Sequence, residues 1–262
     1  MRVLVINLDH QAERLAFQTH QLTRYGLGMQ RLRAVQSDDP RVETPSSYWD
    51  SWQRPLSLSE RACMLSHRAA WEITQSSNAP CLILEDDAVL APDIAALLHA
   101  LELRNDLDHV TLELRHRKKL LDQRAQFITS GRFLRRLYLD RTGAAAYVLW
   151  PSGARRLLAL ADRHAGLADG LICECVEWRS FQIEPAAAFQ LDQCELLGLQ
   201  PPISTSSSIT PSQQEHLARH WRHRLRRVVA QLHMGWRQLR SWHRAQRRHV
   251  LIDPASFRLP RG

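Results

Sequence analysis

Apolar residues in this chain come in short runs, and stretches with helical spacing separate them. Arg2 to Leu8 has strand length and composition, and Asp9 to Tyr25 after it is amphipathic, with Asp9 placed to cap a helix and Gly26 to stop it. Met29 to Val35 predicts a second strand. Leu58 to Thr74 carries Ala62, Leu65, Ala69 and Ile73 at helical spacing, with Ser57 or Ser59 near its start. Cys81 to Leu84 is a short apolar strand, followed by a helix from Pro92 to Leu103 and a strand from His109 to Leu114. Ala144 to Trp150 reads as a strand and Pro151 to Ala161 as a helix with proline in its first turn. Segment 115–141 is charged and fits neither period, and after Phe181 to Pro185 the pattern weakens. Such alternation of strands and helices predicts an open, mostly parallel α/β sheet flanked by helices.

The strand Cys81 to Leu84 runs directly into Glu85, Asp86 and Asp87. Ligands of α/β sheets bind beyond the carboxyl ends of the strands, so this triplet falls where a site belongs. On an extended backbone Glu85 and Asp87 share a face and Asp86 points the other way. Two carboxylates on one face suit Mn²⁺ or Mg²⁺, which take oxygen ligands and complete their shell with water and substrate phosphates. Acidic residues also favour helix starts, and Pro92 opens a helix nearby; one or two acids would serve that purpose, whereas three in a row repel one another unless a cation relieves them.

With 262 residues and 44% hydrophobic composition the chain is long enough for one large domain or for one domain plus an appendage. No run of apolar residues has membrane-spanning length, and the opening Met1 to Asn7 lacks the features of a signal peptide. The five cysteines (63, 81, 173, 175, 194) form no Cys-x-x-Cys pair and predict reduced thiols, Cys63 among them as core packing. The net charge of +8 is unevenly placed: residues 1–210 hold 23 Lys and Arg against 25 Asp and Glu, and residues 211–262 hold 12 against 2. The expected division is a catalytic domain over 1–197, a Pro/Ser/Thr-rich linker over 198–212 and a basic helical tail over 213–262. In the tail Leu217, Trp221, Leu225, Val228, Val229, Leu232, Trp236, Leu239 and Trp242 recur at helical steps, with ten arginines between 213 and 249 around them. That pattern suits an anionic membrane surface and predicts a cytoplasmic protein held peripherally on the inner face of the membrane. Packing of the stripe on the acidic body is the alternative, and nucleic acid fits the spacing less well.

Several segments together resemble glycosyltransferase family 25, the lipooligosaccharide-biosynthesis transferases to which collagen galactosyltransferases are related. They are Val5-Ile6-Asn7-Leu8 with Glu13-Arg14, Ser59 to His67, Leu82 to Leu90, and Thr142 to Leu149 followed by Gly153-Ala154 and Leu157-Leu158. A weaker echo is Ser207-Ser208-Ile209. Ser59, Ala62 and Ala146 stand where family members usually carry glycine. The resemblance implies a GT-A-like fold and inverting transfer of a hexose, galactose or glucose, from a UDP-sugar to a lipopolysaccharide-type saccharide or glycolipid acceptor. The acidic triplet then looks like a DxD motif, with Glu85 and Asp87 as metal ligands and Asp86 at the donor.

Inverting transfer needs a base within reach of the acceptor hydroxyl. Asp169 is the first candidate because the family has an aspartate at about this place, with Glu174 and Glu177 as alternatives. Asp169 would otherwise be an ordinary loop or capping residue. His67 matches the family's Ser-His pair, which implies a donor-site role, although a histidine on such a helix also serves as a structural hydrogen bonder. Arg14 suits a phosphate or a uracil and Asn7 the nucleoside, or they face solvent and cap a turn respectively. Arg135-Arg136 and Arg155-Arg156 read as solvated faces. Tyr48, Trp49 and Trp52, in a polar loop, either stack on a sugar or base or fold back on the body. A glycosidase would hold its carboxylates about 5–10 Å apart across a sugar ring, which neighbouring residues at one strand end do not provide.

Overall fold

Alternation along two central strands decides the layers. In β1 (Arg2–Asn7) and β3 (Cys81–Glu85), which pair in parallel, Val3, Val5, Leu82 and Leu84 face one side, and Leu4, Ile6, Cys81 and Ile83 the other. The first set packs with Phe17 and Leu22 of α1 (Ala12–Arg24) and with Leu97 and Leu101 of α4 (Ile94–Glu102). The second packs with Met64 and Trp71 of α3 (Leu58–Ser76), Leu157 of α5 (Pro151–Ala161) and Leu171 of α6 (Ala168–Glu174). Two cores, one on each face of a sheet buried on both sides, give a three-layer α/β architecture.

The computed structural model describes residues 1–140, 143–175, 178–203 and 221–257. The remaining elements are β2 (Gln30–Arg33), α2 (Pro40–Glu43), β4 (Ala88–Leu90), β5 (His109–Thr111), β6 (Lys119–Asp122), β7 (Gln126–Thr129), β8 (Arg132–Leu139), β9 (Ala146–Leu149), β10 (Ser180–Glu184), β11 (Ala188–Gln190), α7 (Trp221–Ser241) and β12 (Ala245–Arg248). The main sheet has the order β12-β6-β8-β10-β5-β9-β3-β1-β2, with β7 on β8, and β11 pairs β4 in a small second sheet. β1, β2, β3, β5, β6, β7 and β10 run one way and β8, β9 and β12 the other, so the sheet is mostly parallel in orientation, as the pattern predicts. The Ser57 hydroxyl caps α3 by accepting the Glu60 N–H, and the Glu60 carboxylate accepts the Ser57 N–H in return.

Several expectations change. Asp9 does not cap α1, which begins at Ala12; its carboxylate pairs with Arg31 and Arg33 of β2 instead. The charged segment 115–141 forms the antiparallel strands β6 to β8, where Lys119 is fully buried against Asp140 at 2.6 Å. Arg135 and Arg136 are not solvated: the first pairs with Glu184, and the second donates to the carbonyls of Trp178 and Ser180. Tyr48, Trp49 and Trp52 fold back: both indoles are buried and the Tyr48 hydroxyl donates to the Ala161 carbonyl at 2.8 Å. Finally, the basic tail is not helical throughout. After α7 the chain returns to the sheet as β12, and Val250 and Phe257 enter the core, because β6 would otherwise leave an unpaired edge.

Candidate active site

The carboxylate triplet lies at the carboxyl end of β3, in the centre of the sheet. β3 ends at Glu85, so Asp86 and Asp87 form a turn into β4 rather than continuing the strand's alternation. Two glutamines on the buried face of α1 hold this turn: Gln18 donates to the carbonyls of Asp86 and Ala88, and Gln21 bridges the Ala88 carbonyl and the Leu90 N–H. Main-chain groups that no ladder can satisfy are thereby paired.

Each acid has its own neighbours. Asn7, at the end of β1, donates to Asp86 Oδ2 at 2.8 Å, and Arg14 on α1 donates to Oδ1 at 3.1 Å. The structure thus brings Asn7, Arg14 and Asp86 together. Burial raises the Asp86 pKa, with Asn7 and Arg14 opposing it. Glu85 accepts from His67 on α3 at 3.1 Å and from Gln190 on β11 at 3.3 Å. The His67 tautomer follows from its partners. A carboxylate only accepts, so Nε2 carries the proton, and the Tyr147 hydroxyl, which accepts from Trp71 at 2.8 Å, donates to Nδ1 at 3.0 Å. A relay from Trp71 through Tyr147 and His67 therefore fixes the orientation of Glu85.

Asp87 is the least satisfied. Its Oδ1 is buried without a partner among the described residues, and Oδ2 lies 4.0 Å from Arg14. Burial, then the charge of Glu85, pushes its pKa up to about 7. Glu85 and Asp87 together offer an all-oxygen donor set with an uncompensated negative charge, which fits a hard divalent cation. Cys63, His67 and Glu85 also bring one ligand atom each within 4.8 Å of one another, but the His67 proton already occupies Nε2. Cys63, half-buried at this site rather than in the core, has its thiol pushed well above the ordinary range by burial and then by Glu85.

Asp169 stands in the first turn of α6, close enough to Glu85 and Asp140 for both charges to act on it, and accepts the Gly143 N–H. Burial raises its pKa. Glu174, at the other end of α6, turns away to His164 Nε2 at 3.2 Å, and Glu177 lies outside the described residues. All five cysteines are free thiols.

Three contributors carry little local signal in the sequence. Thr111 Oγ1, Glu113 Oε2 and Gln190 Oε1 are, with Asp87 Oδ1, the buried side-chain atoms left without a partner among the described residues. They sit at or just beyond the carboxyl ends of β3 and β5 and on β11, so the unsatisfied polar groups of the body collect around one place. Only the polar interruptions Thr111 and Glu113 in an otherwise apolar run hint at this.

A mostly parallel sheet with clustered carboxylates at its carboxyl end defines an α/β protein with a charged ligand site. The family model for glycosyltransferase family 25 (LPS biosynthesis protein) matches residues 1–172, which include Asn7, Arg14, His67, the triplet and Asp169; the chain belongs to that family and is a glycosyltransferase. No curated protein sequence matches it. Among solved structures, it is similar to an inositol-1-phosphate CTP transferase from T. maritima, at 9% identity and a TM-score of 0.42 over 72% of this chain and 89% of that one. A protein assigned as a glucose-1-phosphate thymidylyltransferase from Bacillus anthracis, solved with sucrose, matches at 9% identity and a TM-score of 0.41 over 70% of this chain and 85% of that one.

Glu113 sets a pH dependence. Burial pushes its carboxyl up from the ordinary 4.5 to about 8. A raised folded pKa on an acid gives stability that is complete below the unfolded value and lost as pH rises to the folded one. Urea unfolding of Glu113→Gln beside wild type should show a difference that shifts in favour of the variant from about pH 4.5 to about pH 8 and is level above. A difference independent of pH would show that Glu113 is ionised in the folded protein throughout.

Proposed function

We propose that the protein transfers a hexose, galactose or glucose, from a UDP-sugar to a lipopolysaccharide-type saccharide, with inversion at the anomeric carbon, on a GT-A-like scaffold. The observation that carries this reading is Asp87, a carboxylate beside Glu85 with one buried oxygen unpaired among the described residues, at the end of a central strand. Bound there by Glu85 and Asp87, Mn²⁺ or Mg²⁺ would act as a Lewis acid toward the departing diphosphate. Arg14, held over Asp86 and Asp87, adds a fixed positive charge for the same phosphates. Asn7 also accepts from Arg31 at 3.0 Å and donates to the Gln11 carbonyl at 3.0 Å, so its buried amide is fully used and serves the donor site by holding Asp86 and the turn after β1. His67 acts on the donor through Glu85, as a positioning residue.

Asp169 is the base. Its carboxylate takes the proton of the acceptor hydroxyl as that oxygen bonds to the anomeric carbon, and the bond to the diphosphate breaks on the opposite face, leaving its electron pair on UDP. Asp169→Asn keeps the shape and removes the proton acceptor. Its kcat should fall about a hundredfold or more while UDP-sugar affinity stays within about twofold. Loss confined to donor affinity would make Asp169 a binding residue instead.

The acceptor class places the enzyme at a membrane surface, and α7 supports that placement. No helix among the described residues is long and apolar enough to cross a membrane. α7 lays its polar side on the body: His223 and Arg226 meet the Trp52 carbonyl, and Arg237 donates to the carbonyls of Cys173 and Glu174, both at 2.6 Å. Its apolar side faces out, with Trp221 67%, Leu232 67%, Trp236 63% and Leu239 63% exposed. Exposed arginines such as Arg224, Arg227 and Arg240 flank this ridge. An apolar ridge between cations is the form of an interfacial helix on anionic lipid, each basic side chain contributing about 1 kcal/mol near the surface. Because β12 and Val250 belong to the body, removal of the whole tail would disturb the fold, and point changes are the cleaner test. Leu225→Ser, Leu232→Ser and Leu239→Ser combined should weaken partition onto phosphatidylglycerol vesicles at least about tenfold, with transfer to a soluble acceptor unchanged. Equal vesicle binding, or loss of a dimer in light scattering in its place, would reject the lipid reading.

A further inference from the structure

A cavity of about 460 Å³ opens between α7 and the sheet, lined by β5, β8 and α6 below and by α7 above. This volume is within the range of small-ligand sites and well suited to one or two sugar rings. Resting on the glycosyl-transfer reading, we propose that this cavity binds the acceptor, and that the acceptor is a saccharide carrying an anionic group, phosphate or carboxylate.

Position is the first argument. Gly143 lines the cavity, and its N–H is donated to Asp169, so the base stands at the cavity's inner wall. The charges of Glu85 and of Asp140, itself on the lining, both reach Asp169. The base is therefore near the triplet as well as the cavity, as a group that serves both a donor and an acceptor has to be. Thr111 also lines the cavity, and its Oγ1, buried without a partner among the described residues, is an unused hydrogen-bonding group beside it.

Charge is the second. Arg136, Arg237, Arg240 and Arg244 line the cavity, and none pairs with a carboxylate among the described residues. Arg136 and Arg237 are held by main-chain carbonyls, which orient a guanidinium without neutralising it. Asp140, the acid on the lining, is engaged by Lys119 at 2.6 Å. A half-buried pocket with this surplus of cations favours an anion, and bidentate guanidinium contacts favour phosphate or carboxylate. Trp236, 63% exposed, supplies a flat apolar face of the kind that packs on a sugar ring, and Trp178, stacked on His109, forms part of the wall. Trp236 and Arg240 belong at once to this lining and to the lipid-facing helix, so a glycolipid headgroup could enter as the protein sits on the surface.

The probes are methyl glucoside, methyl glucoside 6-phosphate and methyl glucuronoside, titrated against the full chain by calorimetry beside UDP. Wild type should bind a charged glycoside at least about tenfold more tightly than the neutral one. Arg240→Ala with Arg244→Ala, both exposed and outside the core, should erase that preference and leave UDP affinity unchanged. Whether the phosphate or the carboxylate form binds better identifies the source of the charge. Equal binding of all three glycosides, or a preference that survives the double variant, overturns the cavity proposal while UDP binding keeps the transferase reading intact. Failure to bind UDP removes the donor site itself, and the acceptor proposal falls with it.

Discussion

Three carboxylates crowded at the end of one buried strand are the constraint around which the rest of this structure is arranged. Like charges a few ångströms apart in a half-buried place repel strongly unless each finds a partner. Asp86 receives Asn7 and Arg14, Glu85 receives His67 and Gln190, and Asp87 is left with an oxygen unpaired among the described residues. The partners come from β1, α1, α3 and β11, so the site and the fold share residues. A buried carboxylate oxygen without a partner is a cost to stability, and under the proposed function it is the place kept for a cation and a diphosphate.

Coupling between this centre and the surface runs through α6. Arg237 on α7 holds the last carbonyls of α6, whose first turn carries Asp169. At its other end α6 is seated on Trp52: a Cβ added at Gly170 would lie 2.9 Å from the indole. A helix of seven residues has little stability of its own, so α7 and Trp52 set where Asp169 stands. This also explains the inverted packing of α7. Arg226 and Arg237 turn to carbonyls of the body, and the apolar residues that a soluble helix would bury are left outward.

Local pattern made the central strands, α3, α5 and the acidic triplet legible from residues alone, because alternation, a capping box and a proline at a helix start act over a few positions. The match of residues 1–172 to glycosyltransferase family 25 supports the resemblance seen in the same segments. What stayed hidden depends on distant partners. Tyr147 meets His67 and Trp71 across 80 and 76 residues, and Gln190 reaches Glu85 across 105, so neither shows a pattern where it stands. Segment 115–141 resisted assignment because Lys119, Arg135 and Arg136 are paired inside or along the sheet, against carboxylates far away in sequence or against main-chain carbonyls. The tail looked helical to its end because basic residues continue through 244–248, yet Ala245 is drawn into the edge of the sheet by β6.

The most direct test is calorimetric titration of the full chain with UDP, first with Mn²⁺ present and then with the cation removed by excess chelator. If Glu85 and Asp87 hold a cation that meets the diphosphate, UDP should bind at least about tenfold more tightly with Mn²⁺ than without it. Equal affinity under both conditions would contradict the account at its centre.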